Sequence, residues 1–204
     1  PTNILSFSPP QLDNLFAPEG PILRAQQLAA KAFSAERTWL LANGSTAGVL
    51  AAVMACVQLW HQRSRQPASS GGAVGRRATT PILLLPRNAH KSVYHAMVLS
   101  GAEPCWLTPE YDAASGLCLG VSPATIEAAL ARCGSGASRV AAVLLVSPTY
   151  EGVLSDVGSA AALCREVCVP LIVDEAHGAH LHFMSGGAGM GEIAPRRPPS
   201  PPPP

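Results

Sequence analysis

The 204 residues carry 14 basic and 13 acidic side chains, a formal net charge of +1 at pH 7, and are 48% hydrophobic against 13% charged. That balance excludes an acidic or basic disordered chain and supplies no field to attract nucleic acid or an anionic membrane surface. The longest apolar run, residues 49–60, falls short of the roughly 20 residues of a membrane span.

In chain order, Gly20-Pro21 opens an alanine-rich helix to about residue 33. Pro21 stands at the first helical position, where a missing N–H costs nothing. Ile22, Ala25, Ala29 and Ala32 share one face. Residues 38–42 read as a short strand, broken by Asn43-Gly44, after which Ser45 or Thr46 caps a helix to about residue 60. Residues 61–80 turn polar, Gly/Ser-rich and basic, the composition of a flexible surface insertion.

An apolar strand follows at 81–85, then a helix from His90 to about residue 99, stopped by Gly101. A short strand is expected at 104–107 and a helix from Ser122-Pro123 to Arg132. Residues 140–146 form the clearest buried strand. Asp156 caps a helix to about residue 167, and residues 171–173 make a strand that ends at Asp174. Beyond Phe183 the chain becomes Gly-rich and then Pro-rich, so residues 184–204 read as an extended tail. Apolar strands alternating with helices imply an α/β fold: three layers around a mostly parallel sheet, one domain over residues 1–183.

Six cysteines, at 56, 105, 118, 133, 164 and 168, form no CxxC and no paired zinc spacing. They read as reduced thiols, with Cys164 and Cys168 on one helix face. The start at Pro1 carries no targeting pattern, which leaves the cytoplasm as the default compartment.

In a parallel sheet the carboxyl ends of all strands reach one edge, where ligands bind. Asn43-Gly44-Ser45-Thr46, Arg87-Asn88-Ala89-His90, Ser147-Pro148-Thr149-Tyr150 and Asp174-Glu175-Ala176-His177 each follow an expected strand. Gly44-Ser45-Thr46 at a helix start offers free N–H groups and hydroxyls to an anion, although an ordinary helix cap has the same look. Asp174 after an apolar strand is a carboxylate that needs a cation, and a protonated pyridine nitrogen is one such partner. His90 serves equally as a packed helix-start residue. Lys91 reads as a surface charge. Asp174, His177, His180 and His182 have the chemistry of a zinc set but not the spacing, so no metal is assigned. The Asp-Glu-Ala-His string also matches a helicase box. That requires a GxxxxGK[ST] loop, and the chain's lysines, Lys31 and Lys91, lie in none.

LDNLFAPEG (12–20), NGSTAG (43–48), LPRNAHKSVYHAMVLSGAEP (85–104), SPTYEGVLSDV (147–157) and VDEAHGAHLHF (173–183) together resemble the ornithine/lysine/arginine decarboxylases. These are fold type I, aminotransferase-like enzymes that use pyridoxal 5′-phosphate (PLP). The resemblance implies that Gly44, Ser45 and Thr46 bind the cofactor phosphate, that His90 stacks on the pyridine ring and that Asp174 pairs with the ring nitrogen. It places His177 close to the cofactor and Thr149 near the site. Ala47 stands where some relatives carry another hydroxyl. The family next supplies a Ser-x-His-Lys stretch whose lysine bonds to the cofactor. Here MSGGAGMGEIAPRRPPSPPPP follows instead, so the chain is expected to be truncated before that lysine and inactive alone. The implied parent activity is decarboxylation of lysine, arginine or ornithine by a homodimer or larger homo-oligomer. The alternatives are another fold type I activity, such as an aminotransferase or a desulfurase, and a non-catalytic product.

Overall fold

The start of the first helix shows how this chain solves a capping problem. A computed structural model describes residues 13–65, 80–134 and 137–184. Helix α1 spans Pro21–Ala32, and its N-cap is Gly20, which has no side chain to cap with. Asp13 does the work from outside. Its carboxylate accepts hydrogen bonds from the N–H groups of Glu19, Gly20 and Ile22 at 2.7–2.9 Å and of Leu23 at 3.3 Å. These include donors that a helix start leaves without intrahelical partners. Desolvation pushes the Asp13 pKa up, but bonds from the N–H groups of Glu19, Ile22, Gly20 and Asn14 together outweigh it and bring it to about 2.

The cap is therefore complete above the ordinary carboxylate value near 3.8 and is lost as pH falls through about 2. Asp13→Ala is expected to erase hydrogen-exchange protection at the Ile22 and Leu23 amides at neutral pH. Unchanged protection would show that α1 needs no such cap.

Among the described residues the chain divides after Ala42 into two compact units, 13–42 and 43–184. The strand expected at 38–42 does not form. That stretch pairs with no described strand, and Trp39, Leu40 and Leu41 are 65%, 44% and 47% exposed. Its β-like composition lacks the partner that a ladder needs.

The second unit is a four-stranded, all-parallel sheet in the order β2-β1-β5-β6. The strands are β1 (Ile82–Pro86), β2 (Glu103–Leu107), β5 (Val140–Val146) and β6 (Leu171–Asp174). Two-residue strands β3 (Tyr111–Asp112) and β4 (Leu117–Cys118) form a separate hairpin that the sequence reading missed. Helices α2 (Gly44–Arg65) and α3 (Lys91–Ser100) cover one face, and α4 (Pro123–Arg132) and α5 (Val157–Glu166) the other. All seven residues of β5 are buried, because helices cover both sides. Its even-numbered residues Ala142, Leu144 and Val146 pack toward α2 and α3, and Val143 and Leu145 toward α4 and α5.

Three further expectations change. Helix α2 continues to Arg65, so residues 61–65 of the expected insertion are helical, while 66–79 lie outside the described residues, as does the tail from 185. At 22 residues, α2 is long and apolar enough to cross a membrane by length and composition. Its Val49, Val53, Val57 and Trp60 stripe is buried against the sheet, while Met54 and Leu59 are exposed. Helix α5 stops at Glu166, and Cys168 lies past it at φ 55°, so buried Cys164 and exposed Cys168 share no helix face. All six thiols are free.

Candidate active site

Helix α2 runs against the strand direction. Near its C-terminal end, Trp60 Nε1 donates to the Ser138 carbonyl at 2.8 Å, two residues before β5 begins. The sixteen helical steps from Gly44 to Trp60 span about 24 Å at 1.5 Å each, close to the roughly 23 Å of the seven-residue β5. The N-terminus of α2 thus stands at the carboxyl edge. Gly44 begins it at φ 64°, a left-handed conformation that a side chain rarely adopts, and a Cβ there would meet nothing within 4 Å. The first-turn N–H groups and the exposed Ser45 and Thr46 border open space.

His90 is the N-cap of α3 rather than part of the helix. Its Nδ1 accepts from the Ser92 N–H at 3.2 Å and lies 2.9 Å from the Ser92 hydroxyl. Accepting at Nδ1 leaves the ring proton on Nε2. Ser92 is fully buried, so it fixes the plane of the ring. Sequence reasoning missed Ser92, although a serine two residues after a helix-start histidine was a visible signal.

Asp174 ends β6 and is 8% exposed. Ile172 packs toward α2, and strand alternation puts Asp174 on that same face. Its Oδ1 accepts from the Ala176 N–H at 3.2 Å, and among the described residues its other oxygen takes no hydrogen bond. The same sheet face and edge thus hold the α2 N-terminus, His90 and Asp174. The strands carrying His90 and Asp174 are separated only by β5, so roughly 10 Å divides them.

Thr149 follows β5 and is fully buried. Its hydroxyl accepts from the Val153 N–H at 3.2 Å and keeps its own proton to donate. His177 is exposed, with its ring 5.1 Å from that of Tyr150, another residue the sequence reading assigned no role. Burial pushes the Glu175 carboxyl up, opposed by the charge of His182. Among the described residues no group of three His, Cys, Asp or Glu side chains converges to hold a metal.

Two loops of the site touch through Gly178. A Cβ there would stand 2.5 Å from Pro148 Cδ and 3.4 Å from Leu181 Cδ1. A proline ring cannot swing aside, so Gly178→Ala is expected to push the 147–150 and 174–178 turns apart and cost roughly 1–3 kcal/mol. Urea unfolding checks this. An unchanged midpoint would show that the turns are free to separate.

The donor set suits PLP in three respects: an open helix N-terminus with hydroxyls for a phosphate, a buried carboxylate for a protonated ring nitrogen and a pinned imidazole for a ring face. It does not suit covalent attachment. Lys31 and Lys91 are the only lysines, and Lys91 is exposed at the first position of α3.

Comparison with known proteins shows the family. Residues 3–61 and 72–191 match the family described as Orn/Lys/Arg decarboxylase, major domain. An arginine decarboxylase from Halalkalibacterium halodurans is 33% identical over 187 residues, 88% of this chain and 33% of that protein. One from Bacillus subtilis is 35% identical over 172 residues, 84% of this chain and 30% of that protein. The chain spans about a third of the length of these curated relatives. The solved constitutive lysine decarboxylase of Escherichia coli superposes with a TM-score of 0.54 at 23% identity, over 81% of this chain and 21% of that one, a likeness of fold.

Proposed function

This chain belongs to the Orn/Lys/Arg decarboxylase family, and on that footing we propose that it forms the PLP-holding part of an enzyme that decarboxylates a basic amino acid. The observation that carries the reading is the placement of Asp174: buried, at the carboxyl edge, on the face shared with the α2 N-terminus, and with one oxygen open among the described residues. When bound, PLP supplies an electron sink for the bond that loses carbon dioxide.

The chain's own residues bind and orient. The first-turn N–H groups of α2 with Ser45 and Thr46 hold the phosphate, aided by the positive end of the helix. The Asp174 carboxylate keeps a proton on the ring nitrogen, since a buried negative charge favours the protonated partner. His90, held by Ser92, would lie against the ring face. His177 would border the opening against Tyr150, and buried Thr149 would brace the turn after β5 by accepting from the Val153 N–H. The names of the relatives support a basic amino acid as substrate: two are arginine decarboxylases and the solved structure is a lysine decarboxylase.

The absence of a third lysine supports a second reading for these 204 residues taken alone, that they bind without catalysing. One experiment addresses both readings. The chain is joined at Phe183 to the remaining C-terminal portion of the Bacillus subtilis arginine decarboxylase, and carbon dioxide release is measured with arginine, lysine and ornithine. Release from at least one of them, abolished by Asp174→Ala, is the expected result. A folded, PLP-loaded chimera that releases none would sink the decarboxylase reading.

A further inference from the structure

The turn that carries His90 is tied down by side chains to which the proposed chemistry gives no part. Strand β1 ends at Pro86, and the chain crosses to α3 through Arg87, Asn88, Ala89 and His90. The Arg87 N–H donates to the Leu107 carbonyl at 3.1 Å, and the Ala89 N–H to the Pro86 carbonyl at 3.2 Å. One further bond spans the whole turn. The Tyr94 hydroxyl, in the first turn of α3, donates back to the Arg87 carbonyl at 3.0 Å, seven positions earlier. His90 stands between the two ends that this bond joins.

Both ends also rest on one indole. The Tyr94 ring lies against that of Trp106, with centroids 5.5 Å apart and planes 34° apart. The Arg87 guanidinium stands over the same indole, 6.0 Å from its centroid, at the reach of a cation–π contact. Trp106 pairs in register with Leu85 and packs on the apolar cluster of the sheet face that α2 and α3 cover. The platform is therefore part of the core, and a rigid ring holds its neighbours at little cost in freedom.

We propose that Tyr94 is a positioning residue for the cofactor. Through its bond to the Arg87 carbonyl, with Trp106 as platform, it fixes the main chain beneath His90 so that the imidazole meets the ring face. The inference rests on the reading of His90 as the group that lies against that ring. Tyr94 and Ser92 act at different points. Ser92 holds Nδ1 and so sets the plane of the imidazole, whereas Tyr94 sets where the turn that bears it stands.

Tyr94→Phe removes one oxygen and keeps a ring against Trp106. Fluorescence titration with pyridoxamine 5′-phosphate compares the full chain, Tyr94→Phe, His90→Ala and the double variant, each well below its thermal transition. Tyr94→Phe is expected to weaken binding roughly 2- to 10-fold, the range for one neutral hydrogen bond. In the His90→Ala chain the same change should add no further loss, because the two residues act as one unit. A residue that only supported the fold would lower the thermal transition without this dependence on His90. His95→Gln, at an exposed position of the same helix, should bind as wild type does. Tyr94→Phe with wild-type affinity, while His90→Ala binds more weakly, overturns the inference and leaves the cofactor reading standing. An equal loss with and without His90, or an equal loss in His95→Gln, also overturns it. If the wild-type chain does not bind, or His90→Ala binds as tightly, the cofactor role of His90 fails and this inference fails with it.

Discussion

Asp174→Ala is expected to weaken binding of pyridoxamine 5′-phosphate to this chain by roughly 10- to 100-fold. This ligand has the phosphate and ring of PLP but an amine in place of the aldehyde, so it forms no bond to lysine and reports non-covalent contacts alone. A hydrogen bond to a charged partner contributes about 1.5–3 kcal/mol, and each 1.4 kcal/mol is tenfold in affinity. The carboxylate is buried at the end of β6 with one oxygen open among the described residues, so little else stands ready to replace it. Asp174→Asn keeps the shape and removes the charge, and should lose nearly as much. Fluorescence titration reads both variants, with circular dichroism to show that the sheet is intact. Equal affinities for wild type and both variants would remove Asp174 from the site.

A second large effect concerns covalent capture. Borohydride reduction of the PLP-loaded 204-residue chain is expected to leave no stoichiometric label on any residue, and the chain is expected to release no carbon dioxide from lysine, arginine or ornithine. Lys31 is exposed on α1. Lys91 follows His90 directly at the start of α3 and is exposed. If His90 lies on the ring face, Lys91, exposed at the first helical position, is expected to project into solvent. Peptide mapping by mass spectrometry checks this. PLP fixed one-to-one on Lys91, together with turnover, would overturn the assignment of His90 as well as the inactivity.

The parts of the fold legible in the sequence were those whose signal is local. Seven consecutive apolar residues at 140–146 announce a strand covered on both faces, and β5 is buried throughout. The cap at Asp156 sits where residue type and a following helix coincide, and it accepts the Ser159 N–H. The stretch 38–42 misled because strand composition says nothing of whether a partner strand lies alongside. The β3–β4 hairpin escaped because two-residue strands carry no period to read. Its turn did leave a trace in Asp112, which takes the N–H groups of Ala114 and Ser115, and in Gly116 at φ 74°.

At the candidate site, Ser45, His90, Thr149 and Asp174 were singled out because each stands at or just beyond the end of an expected strand. What the sequence withheld was tertiary. Nothing local reveals that Gly178 must lack a Cβ to admit Pro148, thirty residues earlier. Nor does it show that Tyr150 leans on His177.

The central claim is that the α2 N-terminus, His90 and Asp174 hold one cofactor at the carboxyl edge of the sheet. The most direct test is a crystal structure of this chain with pyridoxamine 5′-phosphate. The account predicts the phosphate on the N–H groups and hydroxyls at Gly44–Thr46, the ring against His90 and the ring nitrogen at hydrogen-bond distance from Asp174. A ligand bound elsewhere, or bound at that edge with its ring nitrogen turned away from Asp174, would contradict it.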